Sequence, residues 1–350
     1  MFVIDGHEDI AVNALYAGRD VRVSVRETRA RERAAAQTEN EDPQKGPTGE
    51  AMIGLPELRR GGVGLVFATI FTFPREVEEM AQDGLAQLRY YDGLLRTTEG
   101  VHLITTKSEL AALRSTWDAA AMPDDRPVGL VLLMEGADAL RDPSELETWQ
   151  RAGLRLLGPS WRATRYAGGT GEPGGLTDLG RELLRGMDRL GMVLDMSHIA
   201  EESFWQALDI FSGPVIASHS NCRVYVPTDR QLTDEMIRAI AARDGVIGTV
   251  LFNGFVVDGW QRGSDVPVTL EDVVRHIDHV CRLTGSARHS AIGSDFDGGF
   301  GVESTPVEFD SVADLEKLAG ALERHGYSQD DVAGILGENW QRLLQRTLPE

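Results

Sequence analysis

The chain alternates between two hydrophobic rhythms. Short apolar runs rich in Val, Ile and Leu recur at Phe2–Asp5, Gly64–Phe71, Val128–Met134, Leu154–Leu157, Met192–Met196, Pro214–Ser218, Val246–Phe252 and Ala291–Ser294. They are continuous rather than alternating, as expected of parallel strands buried on both faces. Between them, apolar residues fall three and four apart, the helical spacing. Asp178–Leu190 sets Leu179, Leu183, Met187 and Leu190 on one face, and Thr233–Ala242 does the same with Met236, Ile237 and Ile240. Leu270–Leu283 repeats the pattern through Val273, Ile277 and Val280. Thr233 opens its helix, and Ser328 followed by Asp331 predicts an N-cap with an acidic partner at the third helical position.

Eight strands alternating with helices predict an α/β fold, a (β/α)8 barrel of the TIM type. The competing doubly wound sheet would carry a glycine-rich turn after its first strand, and the chain has none there. Val101–Ile104 is a candidate ninth strand. The stretch from Arg22 to Met52 departs from the alternation: it is charged, Ala-rich, broken by Pro43, Gly46 and Pro47, and without strand signal. It reads as a βα insertion over the rim, helical over Arg26–Gln37, and a solvated excursion explains it as well as a substrate lid does. The expectation is one domain over residues 1–350 with this insertion at about 22–52.

Charge narrows the partners. Against 35 basic residues stand 55 acidic ones, a net charge of −20, which repels nucleic acid and anionic membrane alike. No run approaches the roughly 18 apolar residues of a spanning helix. Asp5, His7, Glu8 and Asp9 follow Met1 too closely for a secretory signal, so a cytoplasmic location is expected. Cys222 and Cys281 form no C-x-x-C pair and read as small buried side chains. The oligomeric state is left open, a homodimer included.

The chemistry lies where the strands end. In a barrel the C-terminal ends of the strands share one rim, and catalytic groups come from there. The first run ends in Asp5-Gly6-His7-Glu8-Asp9, the third in Met134-Glu135-Gly136, the fifth in Asp195-Met196-Ser197-His198, the sixth in Ser218-His219-Ser220 and the last in Gly293-Ser294-Asp295-Phe296-Asp297-Gly298. Imidazole and carboxylate are good zinc ligands. His7 and Asp9, two apart, can project to one side of an extended segment. His198 and His219 come from adjacent strands, and Glu135 could bridge two ions through its two oxygens. A single strand-end His is more often a satisfied rim residue than a ligand; five such groups in one phase are harder to assign to chance. The remaining histidines act as a control: His102, His276, His279, His289 and His325 close no predicted core strand. His276 and His279 could chelate on one helix face, although a solvated face is the simpler reading. No G-x-S-x-G elbow, P-loop or H-E-x-x-H helix is present.

With these motifs in order, the chain resembles the membrane dipeptidase (renal dipeptidase) family of zinc peptidases, peptidase family M19, within the amidohydrolase-like barrels. DGHED at Asp5–Asp9, MEG at Met134–Gly136, DMSH at Asp195–His198, SHS at Ser218–Ser220 and GSDFDG at Gly293–Gly298 carry the resemblance over nearly the whole chain. It implies two zinc ions, one held by His7 and Asp9, the other by His198 and His219, with Glu135 bridging. It implies that Asp295 is the acid/base group and that Arg230, with Arg223 as a rival, grips the substrate carboxylate. Two departures stand out. Trp161 in Pro159-Ser160-Trp161-Arg162 sits where the family often has a substrate-orienting histidine, which leaves Arg162 or Arg165 as candidate electrostatic substitutes. Glu8 stands where the family commonly shows Asn.

The expectation is therefore a zinc-dependent dipeptidase, with a D-residue admissible at the C-terminal position. A hydroxide shared by the two ions would attack the scissile carbonyl, and Asp295 would shuttle the proton. Trp161 keeps open a binuclear amidohydrolase acting on another amide, an N-acyl amino acid or a lactone. A noncatalytic metal- or ligand-binding barrel is the other class, and a proton shuttle beside a full ligand set speaks against it. Manganese, iron or cobalt would also suit these ligands.

Overall fold

A computed structural model of the chain describes residues 1–36 and 49–350. The eight apolar runs form parallel strands: β1 (Val3–Glu8), β2 (Val63–Phe71), β3 (Val128–Glu135), β4 (Leu154–Gly158), β5 (Val193–Asp195), β6 (Val215–Ile216), β7 (Ile247–Thr249) and β8 (Ser290–Ile292). Their order is β7-β8-β1-β2-β3-β4-β5-β6. The two ends of that order meet through a parallel bridge between Ala217 and Ile247, with Gly248 N–H donating to Ala217 O at 2.8 Å. The sheet is thus a nearly closed (β/α)8 barrel, as the alternation predicts.

Continuous apolar runs are needed because both faces of each strand are covered. Every residue of β2 and β3 is buried, and period-two alternation sorts them. Ile4, Leu65, Phe67, Val131, Leu133, Leu156, Val193 and Ile216 fill the interior. Val3, Val66, Ala68, Leu130, Leu132, Leu157 and Leu194 turn outward into a second cluster shared with the helices. The C-terminal helix Asn339–Thr347 sends Trp340 among the interior residues, its indole N–H donating to Ile292 O at 2.8 Å. Closure also depends on two glycines. A Cβ at Gly248 or Gly293 would lie 1.9 or 1.8 Å from Ser218 O, so no larger residue lets β6, β7 and β8 converge there.

Several expectations are refined. Val101–Leu103 is a strand, but it pairs only with β3, outside the barrel path. A hairpin of Ala167–Gly169 and Glu172–Leu176 beyond β4 had no signature in the pattern. The strand expected over Val246–Phe252 is shorter, because Asn253–Val256 turns into a helix. In helix Asp178–Arg189 the core face is Leu183, Leu184 and Met187, whereas Leu179 is exposed. His276 is buried, not solvated: its Nδ1 accepts from Cys222 N–H at 3.1 Å and its Nε2 lies 2.9 Å from Val256 O. His279 pairs with Asp234 at 2.7 Å. Both cysteines are buried and free, as their spacing suggests.

In the departure from the alternation, Val25–Ala36 is helical; Gln37, Pro43, Gly46 and Pro47 lie outside the described residues. Its return is anchored to the loop after β8. Asp297 accepts from Met52 N–H at 2.9 Å and Ile53 N–H at 3.1 Å, and Arg19 lies 3.1 Å from the same carboxylate. Among the described residues no helix is long and apolar enough to cross a membrane.

Candidate metal centre

The barrel brings all five expected ligands to one point on its C-terminal rim. His7 Nε2 lies 3.8 Å from Asp9 Oδ1, 3.6 Å from Glu135 Oε2 and 3.8 Å from Asp295 Oδ1. The other Glu135 oxygen, Oε1, lies 3.1 Å from His198 Nε2 and 3.4 Å from His219 Nε2, and those two nitrogens are 3.0 Å apart. Glu135 therefore faces His7 through one oxygen and the other two histidines through the second. Among the described residues, two groups have ligand atoms close enough to hold a cation: His7, Glu135 and His219, and His7, Asp9 and Asp295.

The ring nitrogens facing away are fixed by hydroxyls. Ser218 Oγ is 2.8 Å from His219 Nδ1 and 3.4 Å from His7 Nδ1, and Thr170 Oγ1 is 3.0 Å from His198 Nδ1. The Thr69 hydroxyl bonds Asp9 Oδ1. Such outer partners set which nitrogen faces inward. Two carboxylates of the sequence motifs serve the backbone instead. Asp5 Oδ1 accepts from Ser294 N–H at 2.7 Å and His7 N–H at 3.3 Å; Asp195 Oδ1 accepts from Ser197 N–H at 3.0 Å and Ser218 N–H at 2.9 Å. They tie neighbouring strand ends together, a role visible only once the strands are paired. The chain also turns sharply at the rim: His198, Asp295 and Asp297 have φ of 64°, 59° and 61°, a left-handed conformation uncommon for non-glycine residues and concentrated at functional sites.

The electrostatics ask for a cation. Burial opposes charge on His7, yet Glu135, Asp295 and Asp9 outweigh it and push its imidazole up to about 10. Burial, then Arg230, lowers His198 to about 4, and burial, His7 and Arg230 hold His219 well below its usual value. Both imidazoles are thus neutral, the form that ligates a metal. Burial, reinforced by Asp9 and Glu135, raises Asp295 well above the usual carboxyl range against the pull of His7 and Arg230. His7 Nε2 is buried and has no hydrogen-bond partner among the described residues, although carboxylate oxygens surround it. An orphaned nitrogen amid imidazole and carboxylate donors suits a divalent metal. Glu8 alternates away from His7 and Asp9; it is fully buried, and burial, then Asp5 and Asp297, raises its carboxyl well above the ordinary value.

Arg230 is buried beside this cluster. Its Nη1 donates to Ser220 Oγ at 3.0 Å and its Nη2 to His219 O at 2.5 Å, while its Nε has no partner among the described residues. Burial lowers it to about 10, so it stays cationic at neutral pH. Arg223 instead reaches Glu201 at 2.6 Å. Trp161 stands over the rim, its ring centroid 6.4 Å from that of His198. Arg165 is committed to Asp138 and to the carbonyls of Leu140 and Arg141, and exposed Arg162 stacks 5.4 Å over Trp161. A cavity of about 640 Å³ opens above, with Asp9, Glu135, His198 and Asp295 in its lining.

The family model described as membrane dipeptidase, peptidase family M19, matches residues 1–348. A Klebsiella pneumoniae protein, described as an uncharacterized protein in the pqqA 5' region, is 35% identical over 241 residues, 66% of this chain and 86% of that protein. The solved structure of the dipeptidase AC, a metallopeptidase of family M19, has a TM-score of 0.81 and 26% identity, covering 100% of this chain and 99% of the other. A metallopeptidase from Rhodobacter sphaeroides, liganded with a phosphinate mimic of the dipeptide L-Ala-D-Ala, gives 0.79 and 26%, covering 99% of both chains.

Proposed function

The chain belongs to the membrane dipeptidase family, peptidase family M19, a family of metallo-dipeptidases, and from that membership we propose a zinc-dependent dipeptidase whose catalytic machinery is the rim cluster. His7 and Asp9 would hold one ion and His198 and His219 the other, with Glu135 serving both. The observation that carries this reading is the division of Glu135, one oxygen toward His7 and the other toward His198 and His219. Zinc at these positions supplies Lewis acidity toward the scissile carbonyl and toward the attacking water.

The protein's own groups do the rest. Asp295 takes the proton of the attacking water and returns it to the departing amine, from a carboxylate whose Oδ1 lies 3.8 Å from His7 Nε2. Arg230 receives the substrate's C-terminal carboxylate through its unpartnered Nε edge, which fixes the register of the peptide bond. Thr69, Thr170 and Ser218 hold the ligands in orientation. The L-Ala-D-Ala mimic in the Rhodobacter relative supports a dipeptide substrate and a D-residue at its C-terminal position. The whole chain, 1–350, acts as one catalytic domain.

The test is metal content per chain, measured with turnover of L-Xaa-L-Xaa and L-Xaa-D-Xaa dipeptides beside N-acyl amino acids and lactones. About two zinc ions per chain, with dipeptide turnover lost on chelation and restored by zinc, is the expected result. Turnover confined to N-acyl amino acids or lactones would move the substrate elsewhere. Failure to take up metal would overturn the site itself.

A further inference from the structure

The walls above the metal cluster carry two separate chains of aromatic rings. On the β2 and β4 side, Phe73 lies 4.9 Å from Phe71, Phe71 lies 5.0 Å from Trp161, and Tyr16 closes the chain at 6.0 Å from Phe73. On the β7 and β8 side, Phe252 lies 5.0 Å from Phe255 and 4.9 Å from Phe300. All seven rings line the cavity whose floor holds Asp9, Glu135, His198 and Asp295. In the order of the sheet these two sides lie on opposite arcs of the barrel, so the rings face each other across the floor. The charged groups on the walls are already engaged. Arg75 pairs with Asp83 at 3.3 Å and stacks 5.7 Å from the Tyr16 ring, and Asp297 is taken by Arg19, Met52 and Ile53.

A dipeptide places one side chain on each side of its scissile bond. Resting on the dipeptidase reading, we propose that this site selects dipeptides with large apolar side chains, aromatic ones above all, at both positions. The guanidinium of Arg230 lies 5.1 Å from the Phe255 ring, which puts the terminal carboxylate on the β6–β7 side. The C-terminal side chain therefore packs on Phe252, Phe255 and Phe300. The N-terminal side chain packs on Trp161 and Phe71, with Phe73 and Tyr16 beyond. Trp161 is a specificity-determining residue: it extends the first wall to within 6.4 Å of His198, over the reacting centre. Offset and edge-on rings are the geometry that holds a further aromatic group. A cavity of about 640 Å³ leaves room for two such side chains, whereas glycine or alanine would leave both walls uncovered.

The experiment is kcat/KM of the zinc-loaded protein for Phe-Phe, Phe-Ala, Ala-Phe, Ala-Ala, Asp-Asp and Lys-Lys, each with an L- and a D-residue at the second position. Phe at either single position should exceed Ala by at least about 10-fold, since hydrophobic pockets discriminate by that much or more per buried group. Trp161→Ala should collapse the Phe-Ala to Ala-Ala ratio and spare the Ala-Phe to Ala-Ala ratio; Phe252→Ala should do the reverse; Trp161→Phe should keep most of the preference. Equal rates across the panel, or faster Asp-Asp or Lys-Lys, would overturn the specificity while leaving a dipeptidase in place. Loss of preference at the wrong position would overturn the assignment of walls. No turnover of any dipeptide would remove the dipeptidase reading and this inference with it.

Discussion

Asp295 combines three features that single it out at the scale of one residue: a carboxylate only 13% exposed, a raised proton affinity and a left-handed backbone. Its Oδ1, 3.8 Å from His7 Nε2, also falls within a possible cation-holding group, so a ligand role competes with a proton-carrying one. Asparagine separates them, because it tolerates a φ of 59° nearly as well as aspartate and keeps a carbonyl oxygen without the proton. Asp295→Asn should keep the metal content of the native protein and lower kcat by about 10²–10⁴-fold, the usual worth of a positioned acid or base. Loss of an ion would make Asp295 a ligand; near-normal kcat would remove it from the proton path. Ligands of this kind are legible in the sequence because each closes an apolar run. The hydroxyls of Thr69, Thr170 and Ser218 are not legible, since Thr170 sits in a hairpin without sequence signature and meets His198 only through the fold.

The helix Leu270–Thr284 shows what a periodic pattern gives and what it leaves out. Val273, Ile277 and Val280 pack as their spacing predicts, and His276 lies on the same stripe, three residues after Val273 and one before Ile277. Its burial was therefore in the pattern, but a polar residue in an apolar stripe needs a partner, and the partners Cys222 and Val256 are distant in sequence. Burial holds the imidazole at about 4 in the folded protein, against the 6.5 of an unburied histidine. The unfolded chain thus binds the proton more readily, and the stabilisation is full above about pH 6.5 and lost as pH falls toward 4. The full span is worth on the order of 3 kcal/mol. His276→Gln should cost about 1–3 kcal/mol at pH 7, through disturbed buried hydrogen bonds. Its unfolding free energy should then fall less steeply than the native protein's between pH 6.5 and 4. Urea unfolding at several pH values reads this directly, and parallel curves would mean that His276 does not titrate on unfolding.

For the whole molecule, the barrel and the order of its rim residues follow from apolar runs, because a strand covered on both faces has little freedom in composition. The devices that bring the ends together do not announce themselves that way. Gly248 and Gly293 matter only because Ser218 O approaches them, and Asp5 and Asp195 only because they join neighbouring strand ends. The candidate ligands come from β1, β3 and the loops after β5 and β6, so the cluster exists only when most of the barrel is assembled. A cation binding there favours the folded chain alone, by about 2.7 kcal/mol per site at a hundredfold excess over Kd. Chelation should then lower Tm by several degrees, with far-UV circular dichroism below the transition unchanged, since the apolar interior does not depend on the ion. Glu135→Gln, which weakens the group shared by both halves of the cluster, should melt near the chelated native protein and respond less to added zinc. Native protein that melts at one temperature with and without bound zinc would show that the rim cluster does not couple metal binding to the closed barrel.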